Sequence, residues 1–226
     1  MGLALMALSL VLLTGYAGEV NLAVYTFAGI ALVTMWQFEV GPGGIATRES
    51  MSVAGIALAV VCALVGGLIA LPALRLRGLY LGLATFAFAI VVTQLVLFQI
   101  NPVKIEAFGR SFELNLFSTG SLTVPRPHWF GIDFAEGQRA YLMLMTVLFA
   151  LLGVGLIALR RSSYGRVLVA MKDSPAACAT LGLNVVRMKL SVFMLSSGLA
   201  GFGGLMWAAQ QRQMSNQGSF DVFTSL

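Results

Sequence analysis

Charge is scarce in this chain. Asp, Glu, Lys and Arg make up 10% of its 226 residues, where a soluble domain carries about 25%. With 58% hydrophobic residues and a mean hydropathy of +0.89, a large share of the surface must face lipid, and an ordinary soluble domain is excluded. Histidine is nearly absent: His128 is the only one, so chemistry built on paired imidazoles or on His plus Cys has little support. Cys62, inside an apolar run, and Cys178, in a distant polar segment, offer neither a disulfide nor metal-ligand spacing. No G-x-x-x-x-G-K-[ST] phosphate loop occurs, and nothing calls for a metal or cofactor. A basic leader is missing too. Met1 to Leu13 is apolar without Lys or Arg, so no cleavable signal peptide is evident. This abrupt start raises the expectation that the natural protein or its relatives begin earlier.

What the chain has is hydrophobic length. An α-helix crosses the hydrocarbon core with about 20 mostly apolar residues. Met51–Leu74, Leu79–Ile100, Ala140–Leu159 and Leu190–Ala209 meet that requirement, and Leu22–Phe38 is slightly shorter. Leu3–Leu13 is too short to span alone unless it continues as a broken helix. The expected fold is all-α: a single domain over residues 1–226, a polytopic bundle of roughly five or six membrane helices. Between Leu13 and Leu22 lies Thr14-Gly15-Tyr16-Ala17-Gly18-Glu19-Val20-Asn21. That stretch is either a surface loop or a functional break, because irregular backbone at membrane depth must be buried in protein or line a cavity.

The few charges fix the orientation. Arg75, Arg77, Arg160, Arg161, Arg166, Lys172, Arg187 and Lys189 fall on one side, against the single acid Asp173. The other side holds six bases and seven acids, with Glu19 unassigned. Lys and Arg beside membrane segments resist translocation, so the basic side faces the cytoplasm. The same distribution argues against nucleic acid as a partner: the net charge of +5 flanks apolar spans and forms no solvent-exposed stripe. The outer loop, about residues 101–139, contains Pro125, Pro127 and several glycines, which exclude a continuous helix and leave a short turn or strand at Phe112–Leu116.

Small residues mark helix packing. Gly55, Ala59, Ala63 and Gly67 recur every four positions, as do Ala200, Gly204 and Ala208, with Ser197 and Gly201 alongside. Lipid supplies no hydrophobic drive for helix association, so close backbone approach has to supply it.

The segment of about residues 160–189 is a basic, polar insert between two apolar spans. Within it, Asp173-Ser174-Pro175 followed by Ala176 to Gly182 predicts a short helix with both ends marked: Ser174 as N-cap, Pro175 in the first turn, Gly182 in the left-handed position after the end. Its body is small and weakly apolar, which suits packing, either on this protein's own cytoplasmic face or on a partner.

The same insert carries a resemblance. Gly165-Arg166, Ala170, Asp173-Ser174, Ala177, Leu181-Gly182-Leu183-Asn184, Lys189, Phe193 and Ser196 through Gly204 resemble a signature of the membrane subunits of branched-chain amino-acid ABC importers. Leu12 to Gly18 and Leu71 to Leu81 match in the same order, so the resemblance spans nearly the whole chain. It implies that residues 174–182 are a coupling helix seated in a groove of a cytoplasmic ATPase subunit, with Gly165, Arg166, Ala170, Asp173, Ser174, Pro175, Ala177 and Gly182 serving that contact. It also implies a second permease subunit, homologous or identical, an external substrate-binding protein, and a bacterial or archaeal cell membrane. ATP hydrolysis falls to the partner, which drives a rigid-body switch between outward- and inward-facing states. Three departures stand out: Glu19 where relatives often have an amide, Asn21 where a small residue is common, and a weakened glycine stretch at Ser118-Thr119-Gly120-Ser121. The chain ends at Leu226 where relatives continue, which raises the expectation of a C-terminally incomplete permease.

Candidate pathway residues are Glu19, Asn21, Thr93 and Gln94. An ionisable group at membrane depth is costly enough to be a functional candidate; in a surface loop, Glu19 is merely solvated. Thr93 and Gln94 suit either the pathway or interhelical hydrogen bonds. The substrate reading is a branched-chain or related amino acid, with urea or short amides as the alternative. Two other classes remain: a truncated, non-transporting membrane protein, and an ATP-independent channel or secondary carrier. The lack of paired intramembrane charges counts against ion coupling.

Overall fold

A computed structural model describes residues 1–19, 21–40, 51–73, 79–93, 103–107, 110–114, 121–123, 128–129, 132–133, 138–211 and 213–215. The fold is an all-α bundle. Its helices are α1 (Gly2–Leu10), α2 (Val24–Val40), α3 (Met51–Ala73), α4 (Leu79–Val92), α5 (Gln138–Arg161), α6 (Ser163–Asp173), α7 (Pro175–Thr180) and α8 (Val185–Gln211). Among the described residues, two helical stretches are long and apolar enough to cross a membrane, Arg139–Arg161 and Val185–Gln211; Gly2–Ala17, Ala57–Leu71 and Tyr80–Val92 are shorter apolar helices.

The first of these shorter stretches is longer than its apolar pattern suggests. The chain does not stop at Leu13. It passes from α1 into a π-helical segment, Val11–Ala17, and ends at Gly18, which takes the left-handed conformation with φ 70°. Thr14 Oγ1 donates to Leu10 O at 2.6 Å inside the wider turns. The glycine-rich stretch is thus a helix end with a defined cap.

The centre of the bundle is α8, and glycine places it there. Its buried face runs through Ser196, Ser197, Gly198, Ala200, Gly201, Gly203, Gly204 and Ala208. A methyl group on Gly203 would lie 2.9 Å from Met6 N of α1, and one on Gly201 would lie 2.6 Å from Cys62 Sγ of α3. One on Gly204 would overlap Ala28 of α2. One small-residue helix therefore serves three neighbours, each at backbone contact. The α3 stripe lies along it in antiparallel order: Gly55 faces Phe202, Ala59 and Ala63 face Gly198, and Gly67 faces Met194. Aromatic rings fill the wider gaps, with Phe27 packed against both Phe88 and Phe193.

The α1 helix also runs antiparallel to α8. Gly2 N donates to Gln210 Oε1, while Ser196 Oγ donates to Ser9 O at 2.9 Å. The helix α5 reaches this group through Tyr141, whose hydroxyl donates to Met206 O at 2.6 Å, and it also buries Met145 and Leu156. Met143, Val147, Leu151 and Val154 of α5 are exposed, as befits an apolar helix meeting lipid on most of its circumference.

The outer loop between α4 and α5 carries short strands among its described residues, one of them over the turn or strand expected at Phe112–Leu116. It contains β1 (Val103–Ala107), β2 (Arg110–Leu114), β3 (Ser121–Thr123), β4 (His128–Trp129) and β5 (Ile132–Asp133). β1 pairs antiparallel with β2 and β4 with β5, while β3 pairs with β6 (Gln213–Ser215), which follows α8. Antiparallel ladders let backbone groups pair where prolines and glycines forbid a helix. The β3–β6 ladder also places this segment at the same end of the bundle as the end of α8, opposite the basic insert.

Candidate functional site

The basic insert is built from caps. Arg160 and Arg161 close α5, where cations suit the negative end of the helix dipole. Ser162 then turns the chain: its hydroxyl donates to Leu159 O at 2.5 Å and accepts from Gly165 N at 3.2 Å, capping α6. Gly165 is buried in this corner. A methyl group there would overlap Leu159 O and lie 2.6 Å from Arg160 Cα, so only glycine permits the tight α5–α6 junction. Arg166 is exposed and reaches Ser163 Oγ at 3.2 Å. Ala170 O accepts from Ser174 N at 3.0 Å at the end of α6, and Asp173 is exposed beside it.

Ser174 and Gly182 bound α7. Ser174 Oγ accepts from Ala177 N at 3.3 Å, and Pro175 occupies the first turn, where its missing N–H costs nothing. At the other end Gly182 has φ 79°, its N–H bonds Ala179 O at 3.0 Å, and Leu183 N bonds Cys178 O at 3.1 Å. This double closure around a left-handed residue is the Schellman arrangement. Two residues on, Asn184 Oδ1 accepts from Arg187 N at 3.1 Å and caps α8. Leu181-Gly182-Leu183-Asn184 thus ends one helix and starts the next. Of the residues in α7, only Cys178 is buried; Ala176, Ala177, Ala179 and Thr180 are exposed, as is Leu181 at 80%.

Three of the pathway candidates, Glu19, Asn21 and Thr93, are buried. Glu19 is buried and forms an ion pair with Lys189 near the start of α8. Around it, two more cations of the insert reach the same helix end. Lys172 Nζ donates to Gly15 O at 3.1 Å, and the Arg160 guanidinium stands 6.0 Å from the centre of the Tyr16 ring. The carbonyls at a helix end lack intrahelical partners and carry partial negative charge, so a lysine there is well placed. Sequence reasoning divided these residues between two roles. It used the bases Arg160, Lys172 and Lys189 to fix the orientation and took Glu19 as a pathway candidate, and the meeting of Glu19 with Lys189 joins partners 170 positions apart.

Asn21 is buried next to this cluster. Its Oδ1 accepts from Ala23 N at 2.9 Å, opening the way into α2, and the adjacent Leu22 N donates to Thr85 Oγ1 of α4 at 3.2 Å. Among the described residues Asn21 Nδ2 and Thr93 Oγ1 find no hydrogen-bond partner. Gln94, Arg75 and Arg77 lie outside the described residues.

This combination defines a membrane-helix bundle with a capped, exposed helix within a basic insert, and comparison gives the class its name. Residues 1–226 match the family described as branched-chain amino acid transport system / permease component, and the chain belongs to that family. It is similar to the high-affinity branched-chain amino acid transport system permease protein LivM of Salmonella typhimurium and to that of Escherichia coli. Each is 29% identical, over 90% of this chain and 47% of the relative. A shorter similarity, 31% identity over 35% of this chain and 22% of the relative, links it to the fructose import permease protein FrcC of Rhizobium meliloti. The chain spans about half the length of the LivM proteins it matches. No solved structure matches it.

Proposed function

We propose that this chain is part of the membrane-spanning permease subunit of an ABC importer for branched-chain or related amino acids, held in a cell membrane by several helices. ATP is hydrolysed on a separate cytoplasmic partner, and substrate arrives from an external binding protein. A second permease subunit completes the pathway. The observation that carries this reading is α7. A helix with both ends capped, one buried residue and an exposed face of alanines, threonine and Leu181 is ordered without being covered. Exposed helices normally carry charge for solubility, whereas small side chains let another protein's surface approach closely. The short match to a fructose importer covers only a third of the chain, so the substrate class rests on the two longer LivM matches.

The test is retention of the ATPase during purification of the full permease. Ala177→Arg puts a charged side chain on the exposed face of α7, and Gly182→Val forces a β-branched residue into the left-handed conformation that ends it. Both variants should lose most of the bound ATPase while the permease itself purifies in normal yield. Retention at wild-type levels by both would rule out docking through α7. The substrate is then read from which amino acid the cognate binding protein holds, where a preference for urea or short amides would overturn the amino-acid assignment.

A further inference from the structure

We propose that the end of the π-helical segment is clamped to the insert, and that Glu19 and Lys189 act as positioning residues that carry the insert's movement into α1 and the link to α2. This rests on the docking role of α7. Three contacts from three different parts of the insert converge within five residues: Arg160 on Tyr16, Lys172 on Gly15 O, and Lys189 on Glu19. They come from the end of α5, the end of α6 and the start of α8, the elements that flank α7 on both sides. Gly18 adds steric closeness, since a methyl group there would lie 2.9 Å from Lys172 Cγ. A rigid displacement of the insert therefore pulls on residues 15–19 directly.

The element being pulled suits the task. A π-helical turn has a wider, less favourable hydrogen-bond pattern than an α-helix and is used mostly as a short local device. Here it ends at Gly18, where the chain leaves the helix, and Glu19 follows directly. Two residues beyond Glu19 stands Asn21, and Leu22 N holds Thr85 of α4. From Lys189, in the first turns of the helix that follows α7, the route to the candidate pathway residue Asn21 is one ion pair and two peptide units long. Coupling of this kind needs a physical element that both ends bias, and the π-helical end at residues 15–19, held by the three cations of the insert, is the element proposed for it. A substrate-facing role for Glu19 would leave its carboxylate free; instead the clamp occupies it.

The test uses the complete importer, with its ATPase and binding protein, in proteoliposomes, measuring substrate uptake and ATP hydrolysis together. Glu19→Gln and Lys189→Gln should keep the ATPase bound and hydrolysing while uptake per ATP falls by about tenfold, the size of an ordinary coupling between sites. The exchange Glu19→Lys with Lys189→Glu should recover most of that loss, and Glu19→Asp should recover part. Normal coupling in both single variants would overturn the clamp while leaving the docking reading intact. Equal loss in the single variants and in the charge exchange would overturn it too, because it would mean that Glu19 acts by itself on the substrate. If wild-type permease does not retain the ATPase at all, the docking reading fails and the clamp falls with it.

Discussion

At the scale of single residues, glycine is used in two opposite ways. Gly204 of α8 has Ala28 against it, and any added methyl group overlaps the α2 backbone. Gly153 and Gly155 of α5 have open space in the same place. Gly204→Ala should therefore lower stability by about 1–3 kcal/mol, the usual cost of overpacking. Gly153→Ala and Gly155→Ala, in the interior of a helix with room for the methyl group, should raise it by about 0.5–1 kcal/mol. Thermal unfolding of the detergent-solubilised protein measures both, and equal shifts would show that α8 is not packed at backbone contact. The four-residue spacing of small side chains was visible in the sequence. Which glycine faces which helix was not, because periodicity marks a face without naming its neighbour. Glu19 shows the same limit more sharply. Its chemistry is local, but its meaning depends on Lys189, and no local pattern joins positions so far apart.

At the scale of elements, α7 was the most legible part of the chain, and the reason is physical. Caps act over three or four residues, so Ser174, Pro175 and Gly182 announce the helix without tertiary help. The same locality makes α7 testable. Removing the cap with Ser174→Ala should cost about 1 kcal/mol and raise amide exchange at Ala177 roughly fivefold. Gly182→Ala meets no neighbour, so its cost is conformational alone, about 1–2 kcal/mol for a left-handed residue with a Cβ. Exchange at Leu183, whose amide closes the helix, should rise accordingly. Unchanged exchange in both would mean that contacts through Cys178, and not the caps, hold α7. The π-helical segment was less legible. Apolar composition from Leu3 to Leu13 predicted an element too short to span, since a count of apolar residues stops at Thr14 and Gly15. The helical backbone runs on to Ala17, with Thr14 Oγ1 bonded to Leu10 O inside the wider turns, and stops only at the left-handed Gly18. Of the ladders between α4 and α5, only β2 was legible, since the short turn or strand expected at Phe112–Leu116 overlaps Arg110–Leu114; the rest showed only as an argument against a helix. Their pairings join β3 to β6 across most of the second half of the chain, beyond the reach of any short pattern.

At the scale of the whole molecule, charge and topology make independent statements about sidedness, and they agree. The bases concentrate at 160–189, and cations near membrane helices stay on the cytoplasmic side. The β3–β6 ladder sets residues 121–123 and 213–215 together at the other end, and the antiparallel course of α1 and α3 along α8 keeps the Glu19–Lys189 pair with the insert. The permease proposed above, worked from one side by an ATPase, requires this polarity, since an insert on the outer face would have no nucleotide-driven partner to meet. Labelling decides it. In a background with Cys62 and Cys178 replaced by alanine, Ser163→Cys lies on exposed α6 and Ser121→Cys lies in β3. A membrane-impermeant maleimide added to intact cells should modify the cysteine at 121 and spare the one at 163. Inside-out vesicles should reverse the pattern. If the cysteine at 163 reacts in intact cells, the insert faces outward, and neither the docking of α7 nor the clamp on Glu19 can draw on cytoplasmic ATP.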